Sequence, residues 1–282
     1  MKICFKKQVQ KQIVVIRPAH RKNKIRWHFP AICVLVIFAP VSVRGGYLLK
    51  PEKEICLFTA GAGLTVLGYS LPGRMDQAVD FSGSARDLIY PERFSVRCRR
   101  ADLDRASDIT VALCSLMPVL LPLSGETAGC GGRHAVMYCE SILILNGLVN
   151  VSKNAVQRAR PYVYHRAVPG QVFDEKKDYQ SFFSAHTAFA FLGAVYTGTV
   201  LEQTRPGALW NRYVWIGGLS LAAVTGMFRI LSGNHFPTDV LTGAVIGSVI
   251  GYLIPAVHWN HSEERHGRTG SFAPRLHIQI SF

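Results

Sequence analysis

The chain has 282 residues, of which 49% are hydrophobic and only 18% are charged, and its formal net charge at pH 7 is +14. This composition is too apolar for an ordinary soluble domain and indicates an integral membrane protein. The seven cysteines show no paired spacing, and Cys33, Cys56 and Cys114 fall inside apolar runs. Neither a disulfide framework nor a cysteine-based zinc site is therefore expected.

The positive charge is concentrated at the start of the chain. Residues 1–26 hold nine Lys and Arg residues and no acidic residue, which leaves a net charge of +5 for the rest. A basic flank beside an apolar run is typical of the cytoplasmic side of a membrane segment. No nucleic-acid partner is predicted, because neither stacking aromatic residues nor a binding motif accompanies the charge. The apolar run 27–43 is open to three interpretations: a signal anchor, an uncleaved helix or a signal-peptide core.

The next apolar run, residues 55–71, predicts a membrane helix. Gly61, Gly63 and Gly68 would allow a neighbouring helix to approach this one closely. Residues 72–108 then carry seven basic and seven acidic residues. This balance predicts a solvated or interfacial segment with at most one amphipathic helix.

Two further apolar runs, 109–123 and 134–151, precede a long polar connection over residues 152–183. The second run is interrupted only by Glu140. A carboxylate at that place is either a buried functional or structural feature or a residue at headgroup level, and the sequence leaves both interpretations open.

The last apolar segments predict helices at 184–201, 213–228 and 240–257. Gly243, Gly247 and Gly251 recur every four residues and therefore lie on one helix face, which favours close packing against a neighbour. Because helices satisfy their own backbone hydrogen bonds in lipid, the chain predicts an all-α, polytopic membrane bundle of about five or six spanning helices.

Three polar clusters stand at the ends of these helices. The first contains Lys153 and Arg160-Pro161. Seven residues separate the two cations, a spacing that would place them on one face of a helix ended by Pro161.

The second cluster is Ser184-Ala185-His186 at the start of an apolar helix. Ser184 is a good N-cap there, and the free N–H groups of a helix N-terminus favour an anion. The third cluster, in the stretch RILSGNHFPTD, contains a cation, an imidazole and a carboxylate at fixed offsets: Arg229, His235 and Asp239.

Taken together, these clusters resemble the three motifs of the type 2 phosphatidic acid phosphatase (PAP2) superfamily, which shares its site with class A acid phosphatases and vanadium haloperoxidases. The resemblance covers about residues 50–257, and residues 258–282 form a polar tail. Two positions depart from the family pattern. Ala185 replaces the glycine of Ser-Gly-His, and Phe228 replaces the serine before Arg229.

The resemblance implies a role for each motif residue. His235 is implied to be the nucleophile, with Asp239 accepting a hydrogen bond from the other ring nitrogen. His186 is implied to be the general acid for the leaving oxygen. The implied phosphate-binding residues are Lys153, Arg160, Ser184 and Arg229. Three cations replace a metal, and no carboxylate cluster for magnesium is evident, so metal-independent activity without a cofactor is expected.

The expected function is hydrolysis of a lipid phosphate or pyrophosphate through a phosphohistidine. Candidate substrates are phosphatidic acid, phosphatidylglycerol phosphate, polyprenyl pyrophosphate and a lipid A phosphate. The alternatives are a vanadate-dependent haloperoxidase and a non-enzymatic anion or lipid transporter that uses the same cations.

The resemblance and the count of apolar runs disagree about which side of the membrane the site faces. The resemblance implies a site on the periplasmic or outer face of a bacterial inner membrane. With the basic N-terminus inside, that requires an odd number of spans before Lys153. The sequence offers four candidates, 27–43, 55–71, 109–123 and 134–151, so one of them does not cross fully or the protein departs from the family.

Overall fold

The computed structural model describes residues 46–71, 79–80, 84–97, 99–121, 131–166, 172–173 and 176–260. The predicted basic segment 1–26, the apolar run 27–43 and the tail beyond residue 260 lie outside these residues.

Within the described residues the fold is built almost entirely from helices. They are α1 (Pro51–Ser70), α2 (Tyr90–Arg93), α3 (Ala101–Leu120), α4 (Gly131–Val156), α5 (Pro161–Arg166), α6 (Ala185–Thr204), α7 (Leu209–Leu231) and α8 (Pro237–His258). Two-residue strands β1 (Val79–Asp80) and β2 (Val172–Phe173) pair antiparallel. Short 3-10 turns occupy Ala85–Asp87 and Lys176–Tyr179. The predicted all-α bundle is confirmed.

Helix α6 forms the centre of the bundle. Every residue from Leu192 to Leu201 is buried, and α3, α4, α7 and α8 all pack against this helix. A helix that is apolar and small-sided all round can be surrounded in this way, because no face of it needs water.

Helix α8 lies against α6 through its three glycines, as predicted. A Cβ added at Gly247 would lie 2.1 Å from the carbonyl oxygen of Ala188. Added Cβ atoms at Gly243 and Gly251 would lie 2.6 and 2.8 Å from other α6 carbonyls. Any side chain on this face would push the two backbones apart, so the glycines set the distance between α6 and α8.

Helix α1 packs on α4 through two of its glycines. An added Cβ would lie 2.9 Å from a side-chain atom of Leu143 at Gly61 and 2.7 Å from one of Asn150 at Gly68. At Gly63 the same atom would meet nothing within 4 Å. The prediction of close packing is therefore confirmed for Gly61 and Gly68 and wrong for Gly63, which lies off the contact face.

The outer surface of the bundle is apolar, as a lipid-facing surface must be. Large hydrophobic side chains project outward on four helices, among them Ile55, Val66, Leu113, Leu116, Ile216, Met227, Leu241 and Val249. Three helical segments are long and apolar enough to cross a membrane by length and composition: Gly131–His165, Leu209–Leu231 and Pro237–His258. Because such a surface would be unstable in water, the protein is an integral membrane protein.

The charged segment 72–108 is less solvated than predicted. Helix α3 begins at Ala101, eight residues before the predicted apolar run. Ser107 is fully buried, and the side chain of Asp104 is only 15% exposed. Two acidic residues of this extension have partners on neighbouring helices: Asp104 pairs with Arg229 on α7, and Asp108 lies 2.8 Å from His186 on α6.

The first motif does not lie on one helix. Helix α4 ends at Val156, and Gln157 adopts a left-handed backbone conformation with φ 48°. Pro161 begins α5 rather than ending α4, since a proline fits the first position of a helix and disfavours helical geometry in the residue before it. The prediction that Lys153 and Arg160 share a helical face is therefore wrong.

The bundle has two distinct polar ends. The site end holds the C-termini of α1, α4 and α7 and the N-termini of α3, α6 and α8; for example, the Arg100 N–H donates to the carbonyl of Ser232. The far end holds the N-terminus of α1 and the C-terminus of α8, where the Leu48 N–H donates to the carbonyl of His258. Consequently α1, α3 and α4 run alternately between the two ends.

Candidate active site

The site end brings together all seven predicted site residues. Arg160 and Arg229 lie close enough to act electrostatically on both Lys153 and His235. The fifth and sixth residues, Ser184 and Asp239, are joined by a backbone hydrogen bond of 3.1 Å. His186 in turn lies near both Arg229 and Lys153. Four helices and two loops, the α4–α5 loop with Arg160 and the α7–α8 loop with His235, thus converge on one polar centre.

His235 lies in the loop between α7 and α8 and is 1% exposed. Its Nδ1 is 2.7 Å from the carbonyl oxygen of Ser181 and 3.7 Å from Oδ2 of Asp239. Because a carbonyl oxygen can only accept, Nδ1 carries the proton and Nε2 of the neutral ring keeps its lone pair. The hydrogen-bond acceptor is the Ser181 carbonyl rather than Asp239, which differs from the prediction; Asp239 acts on the ring through its charge.

The surroundings of His235 keep the ring neutral. Burial lowers the pKa of His235 well below its ordinary value of 6.5, and the positive charges of Arg160 and Arg229 act in the same direction. The negative charge of Asp239 opposes them. At neutral pH the Nε2 lone pair is therefore available as a nucleophile.

Asp239 is fixed in the first turn of α8. Its Oδ2 accepts from the Phe236 N–H at 2.9 Å and from the Ser181 hydroxyl at 2.6 Å. Pro237 occupies the first helical position, as expected of a residue without an N–H to satisfy. One carboxylate thus caps the helix and also holds Ser181, whose carbonyl orients His235.

Arg158, which the sequence analysis overlooked, is the cationic partner of Asp239. Its Nη1 donates to Oδ1 of Asp239 at 2.7 Å, and its Nη2 donates to Oε2 of buried Glu92 at 2.5 Å. The guanidinium also lies 4.2 Å above the ring of Phe236, and Glu92 accepts from the Thr238 hydroxyl at 2.5 Å. The Asp239 carboxylate beside His235 is therefore held by Arg158, which also binds the carboxylate of Glu92.

Arg160 is held mainly by backbone carbonyls. Its Nε donates to Lys177 O at 2.7 Å, and its terminal nitrogens donate to Gln180 O at 3.3 Å and to Oδ1 of Asn234 at 3.3 Å. No carboxylate among the described residues forms an ion pair with it. Its positive charge is thus positioned without being neutralised by a direct partner.

Arg229 and Lys153 retain unused hydrogen-bonding capacity. Arg229 Nη1 donates to Asp104 at 2.6 Å and to the Ser107 hydroxyl at 3.2 Å, while its buried Nε has no partner among the described residues. Asp104 also accepts from the side chain of Asn234 at 2.6 Å. The ammonium of Lys153 makes no hydrogen bond or ion pair within the described part of the chain. A buried donor without an acceptor is costly, so this centre favours an anion.

Ser184 is the N-cap of α6, as predicted, and its hydroxyl accepts from the Thr187 N–H at 3.5 Å. It also lies 2.9 Å from the Thr187 hydroxyl. His186 is the second residue of the helix, and its Nε2 is 2.8 Å from Oδ1 of Asp108 on α3. Asp104 and Asp108 are therefore two site-end residues that the sequence analysis assigned to a solvated segment. Their four-residue spacing, which puts them on one helix face, was the available signal.

The side chains that could bind a metal ion lie away from this polar centre. Within the described part of the chain, one set of three His, Cys or carboxylate side chains brings its ligand atoms within 4.8 Å of one another. That set is Glu54, Glu140 and His258, and it lies at the far end of the bundle.

Comparisons with known proteins agree with the motifs. Residues 134–263 match the PAP2 superfamily. The chain is 28% identical over 144 residues to a lipid A 1-phosphatase of Porphyromonas gingivalis, an alignment that covers 49% of this chain and 28% of that protein. It is 30% identical over 113 residues to an undecaprenyl-diphosphatase of Sulfolobus acidocaldarius, covering 40% of this chain and 50% of that protein. The chain thus spans half or less of the length of these relatives.

A solved structure, the transmembrane PAP2-type phosphatidylglycerolphosphate phosphatase of Bacillus subtilis, aligns with 21% identity and a TM-score of 0.44, covering 78% of this chain and all of that one. The superfamily match begins in the first turn of α4 and includes all three motifs. On that match, and on the relatives that share it, residues 134–263 of the chain are similar to the PAP2 superfamily.

Proposed function

We propose that the protein is a membrane phosphatase that hydrolyses a lipid phosphate or pyrophosphate through a phosphohistidine on His235. One observation carries the proposal. The ring of His235 is buried and neutral, and its Nδ1–H donates to the carbonyl oxygen of Ser181. Its Nε2 therefore carries a lone pair, and the positive charges of Arg160 and Arg229 act on this ring. An uncharged nucleophile facing cations is what attack on an anionic phosphorus requires.

The reaction has two balanced steps. In the first, Nε2 of His235 bonds to phosphorus, the bond to the leaving oxygen breaks, and His186 transfers a proton to that oxygen. In the second, water attacks the phosphohistidine, loses a proton to His186 and releases inorganic phosphate. Asp239 stabilises the positive charge that develops on the His235 ring.

The remaining site residues would hold the phosphate. The unpaired ammonium of Lys153 and the unpaired Nε of Arg229 are donors without acceptors among the described residues, and Arg160 adds a third cation. Ser184 and the N-terminus of α6 add neutral donors. Three cations can neutralise the equatorial oxygens in the transition state without a metal ion, so the chemistry is expected to be metal-independent.

The position of the site favours a lipid substrate. It lies at the helix ends of an apolar bundle, where a headgroup can enter while its tail stays in the bilayer. Relatives named for lipid A and undecaprenyl diphosphate support this class. The candidates are phosphatidic acid, phosphatidylglycerol phosphate, polyprenyl pyrophosphate and a lipid A phosphate.

We further propose that the site faces away from the cytoplasm, on the periplasmic face of a bacterial inner membrane. Helices α1, α3 and α4 alternate between the ends, so residue 46 and the site lie on opposite sides. The sidedness then depends on whether 27–43 crosses the membrane. A cysteine at exposed Lys176 should react with an impermeant reagent in intact cells, and one at exposed Arg212 on the far end only after permeabilisation; the reverse pattern would contradict this orientation.

The direct test is phosphate release from a panel of the four lipids in detergent. Wild type should release phosphate from at least one lipid, and vanadate, which mimics pentacoordinate phosphorus, should inhibit. Activity should persist in excess EDTA, measured below the unfolding midpoint in the same buffer so that lost stability is not mistaken for lost catalysis. A wild-type rate in His235→Ala would exclude His235 as the nucleophile. Bromide oxidation that depends on added vanadate would favour the alternative function, a haloperoxidase.

A further inference from the structure

The far end of the bundle contains a second buried histidine beside carboxylates. His258, in the last turn of α8, has Nε2 3.2 Å from Oε1 of Glu54 on α1 and 3.6 Å from Oε2 of Glu140 on α4. All three side chains are buried. Three helices that are distant in sequence thus contribute one ligand-type atom each to one point.

The tautomer of His258 leaves a lone pair facing negative charge. Its Nδ1 lies 2.7 Å from the carbonyl oxygen of Ile254, which can only accept, so Nδ1 carries the proton. In the neutral ring, Nε2 then presents its lone pair to two carboxylates. This arrangement is repulsive unless a proton or a metal cation lies between the three groups.

Glu140 is the second observation that points to a ligand. It is 0% exposed, and neither of its carboxylate oxygens has a hydrogen-bond partner among the described residues. One oxygen of Glu54 is in the same condition. An ionised carboxylate in such a place is strongly unfavourable unless it is paired or coordinates a metal.

We propose that Glu54, Glu140 and His258 bind a divalent metal ion, for which zinc is the best fit. Ligand atoms about 2.0–2.1 Å from a tetrahedral zinc ion lie roughly 3.3–3.4 Å apart. The observed separations of His258 Nε2 from the two carboxylate oxygens, 3.2 and 3.6 Å, bracket that value. The hydrogen bond from Nδ1 to a backbone carbonyl is the usual outer partner of a metal-bound histidine.

The donor set also selects against magnesium. Magnesium prefers six oxygen ligands in octahedral geometry, whereas one imidazole nitrogen and two carboxylate oxygens suit a first-row divalent ion. The three ligands leave one tetrahedral position for water. The ion would join α1, α4 and α8 at the end of α8 opposite Asp239, about 28 Å away at 1.5 Å per residue. The proposed metal site is therefore separate from the proposed phosphatase site and independent of the proposed phosphatase function.

The test is zinc content and thermal unfolding of the detergent-purified chain. After reconstitution with zinc and removal of free metal, wild type should retain about one zinc ion per chain, and its unfolding midpoint should rise by several degrees over the chelated protein. Magnesium should give no such rise. Glu140→Gln keeps the side-chain volume and removes the charge, and it should lose both the bound zinc and the response.

Glu52→Gln is the matched control, because Glu52 lies two residues from Glu54 on α1 and is exposed; it should retain zinc as wild type does. His258→Gln is a second ligand variant in case Glu140→Gln does not fold. A wild-type chain that retains no zinc and shows no shift would overturn the proposal, as it would mean that the three groups share a proton only. Equal zinc retention by wild type and both ligand variants would also overturn it.

Discussion

Helix α8 has a buried histidine at each end, and the two rings are held alike but surrounded differently. His235 and His258 both donate from Nδ1 to a backbone carbonyl at 2.7 Å, so both present Nε2 with its lone pair. At the site end the nearby charges include Arg160 and Arg229. At the far end they are the carboxylates of Glu54 and Glu140.

The same histidine tautomer can therefore serve different chemistry, depending on the charges around it. A lone pair among cations can attack an anionic phosphorus, whereas a lone pair among carboxylates can coordinate a metal ion. Hydrogen bonding differs as well. Asp239 is satisfied by Arg158, Ser181 and the Phe236 N–H, while Glu140 has no hydrogen-bond partner among the described residues.

The largest effect is expected from removing His235, the proposed nucleophile at the site end. His235→Ala should lower phosphate release from the preferred lipid by at least about 10³-fold, because no phosphohistidine can form. The unfolding midpoint, measured alongside, shows whether the variant is folded. A folded His235→Ala protein with activity within tenfold of wild type would contradict the proposal that His235 is a nucleophile. It would then no longer differ from His258 in that role.

Replacing His186, the proposed proton donor, should reduce activity by a factor that depends on the leaving group. His186→Ala should slow a lipid phosphate by roughly 10²–10⁴-fold, since an alkoxide is a poor leaving group without a proton. An aryl phosphate such as p-nitrophenyl phosphate should lose much less, because its leaving group needs no proton. Equal losses on both substrates would assign His186 to phosphate binding instead.

A smaller effect is expected at Arg158, which positions Asp239 and through it Ser181 and His235. Arg158→Ala should reduce kcat by roughly 10²-fold with little change in KM, because a misaligned nucleophile affects the chemical step more than binding. Arg158→Lys should recover part of the loss. Arg212→Ala, an exposed arginine at the far end, is the control and should resemble wild type.

The smallest effect concerns pH. Burial lowers the pKa of His235 well below 6.5 in the folded protein, whereas the unfolded chain binds a proton on this ring below pH 6.5. The free energy of unfolding contributed by this group is therefore unchanged above pH 6.5 and decreases as pH falls below it. His235→Gln should lose that component of the pH dependence. In wild type, the acidic limb of kcat/KM should lie below pH 6.5; a limb at or above that value would contradict a buried, neutral nucleophile.

The features that could be predicted from the sequence are those specified by a local pattern of residues. The apolar helices, the glycine face of α8 and the three motifs were all visible, because composition and spacing within a few residues specify them. The partners across the fold were not visible. Arg158 meets Glu92 from 66 residues away, and Arg229 meets Asp104 from 125 residues away, so no local pattern links them.

Two further differences between prediction and structure have causes that composition does not reveal. A single left-handed residue, Gln157, ends α4 and separates Lys153 from Arg160. Acidic residues on α3 appeared solvated because their cationic partners are on another helix. Nothing in the structure explains why Phe228 stands where the family has serine.

The central claim, that Nε2 of His235 is the nucleophile, is tested most directly by trapping the phosphorylated enzyme. A single turnover of a lipid phosphate, quenched in alkaline detergent where phosphohistidine survives, should yield a phosphate on the peptide that contains His235. The same peptide from His186→Ala should accumulate it with the aryl phosphate if His186 also activates water for the second step. A turnover that leaves no phosphate on His235 at any time point, or places it on another residue, would contradict the account.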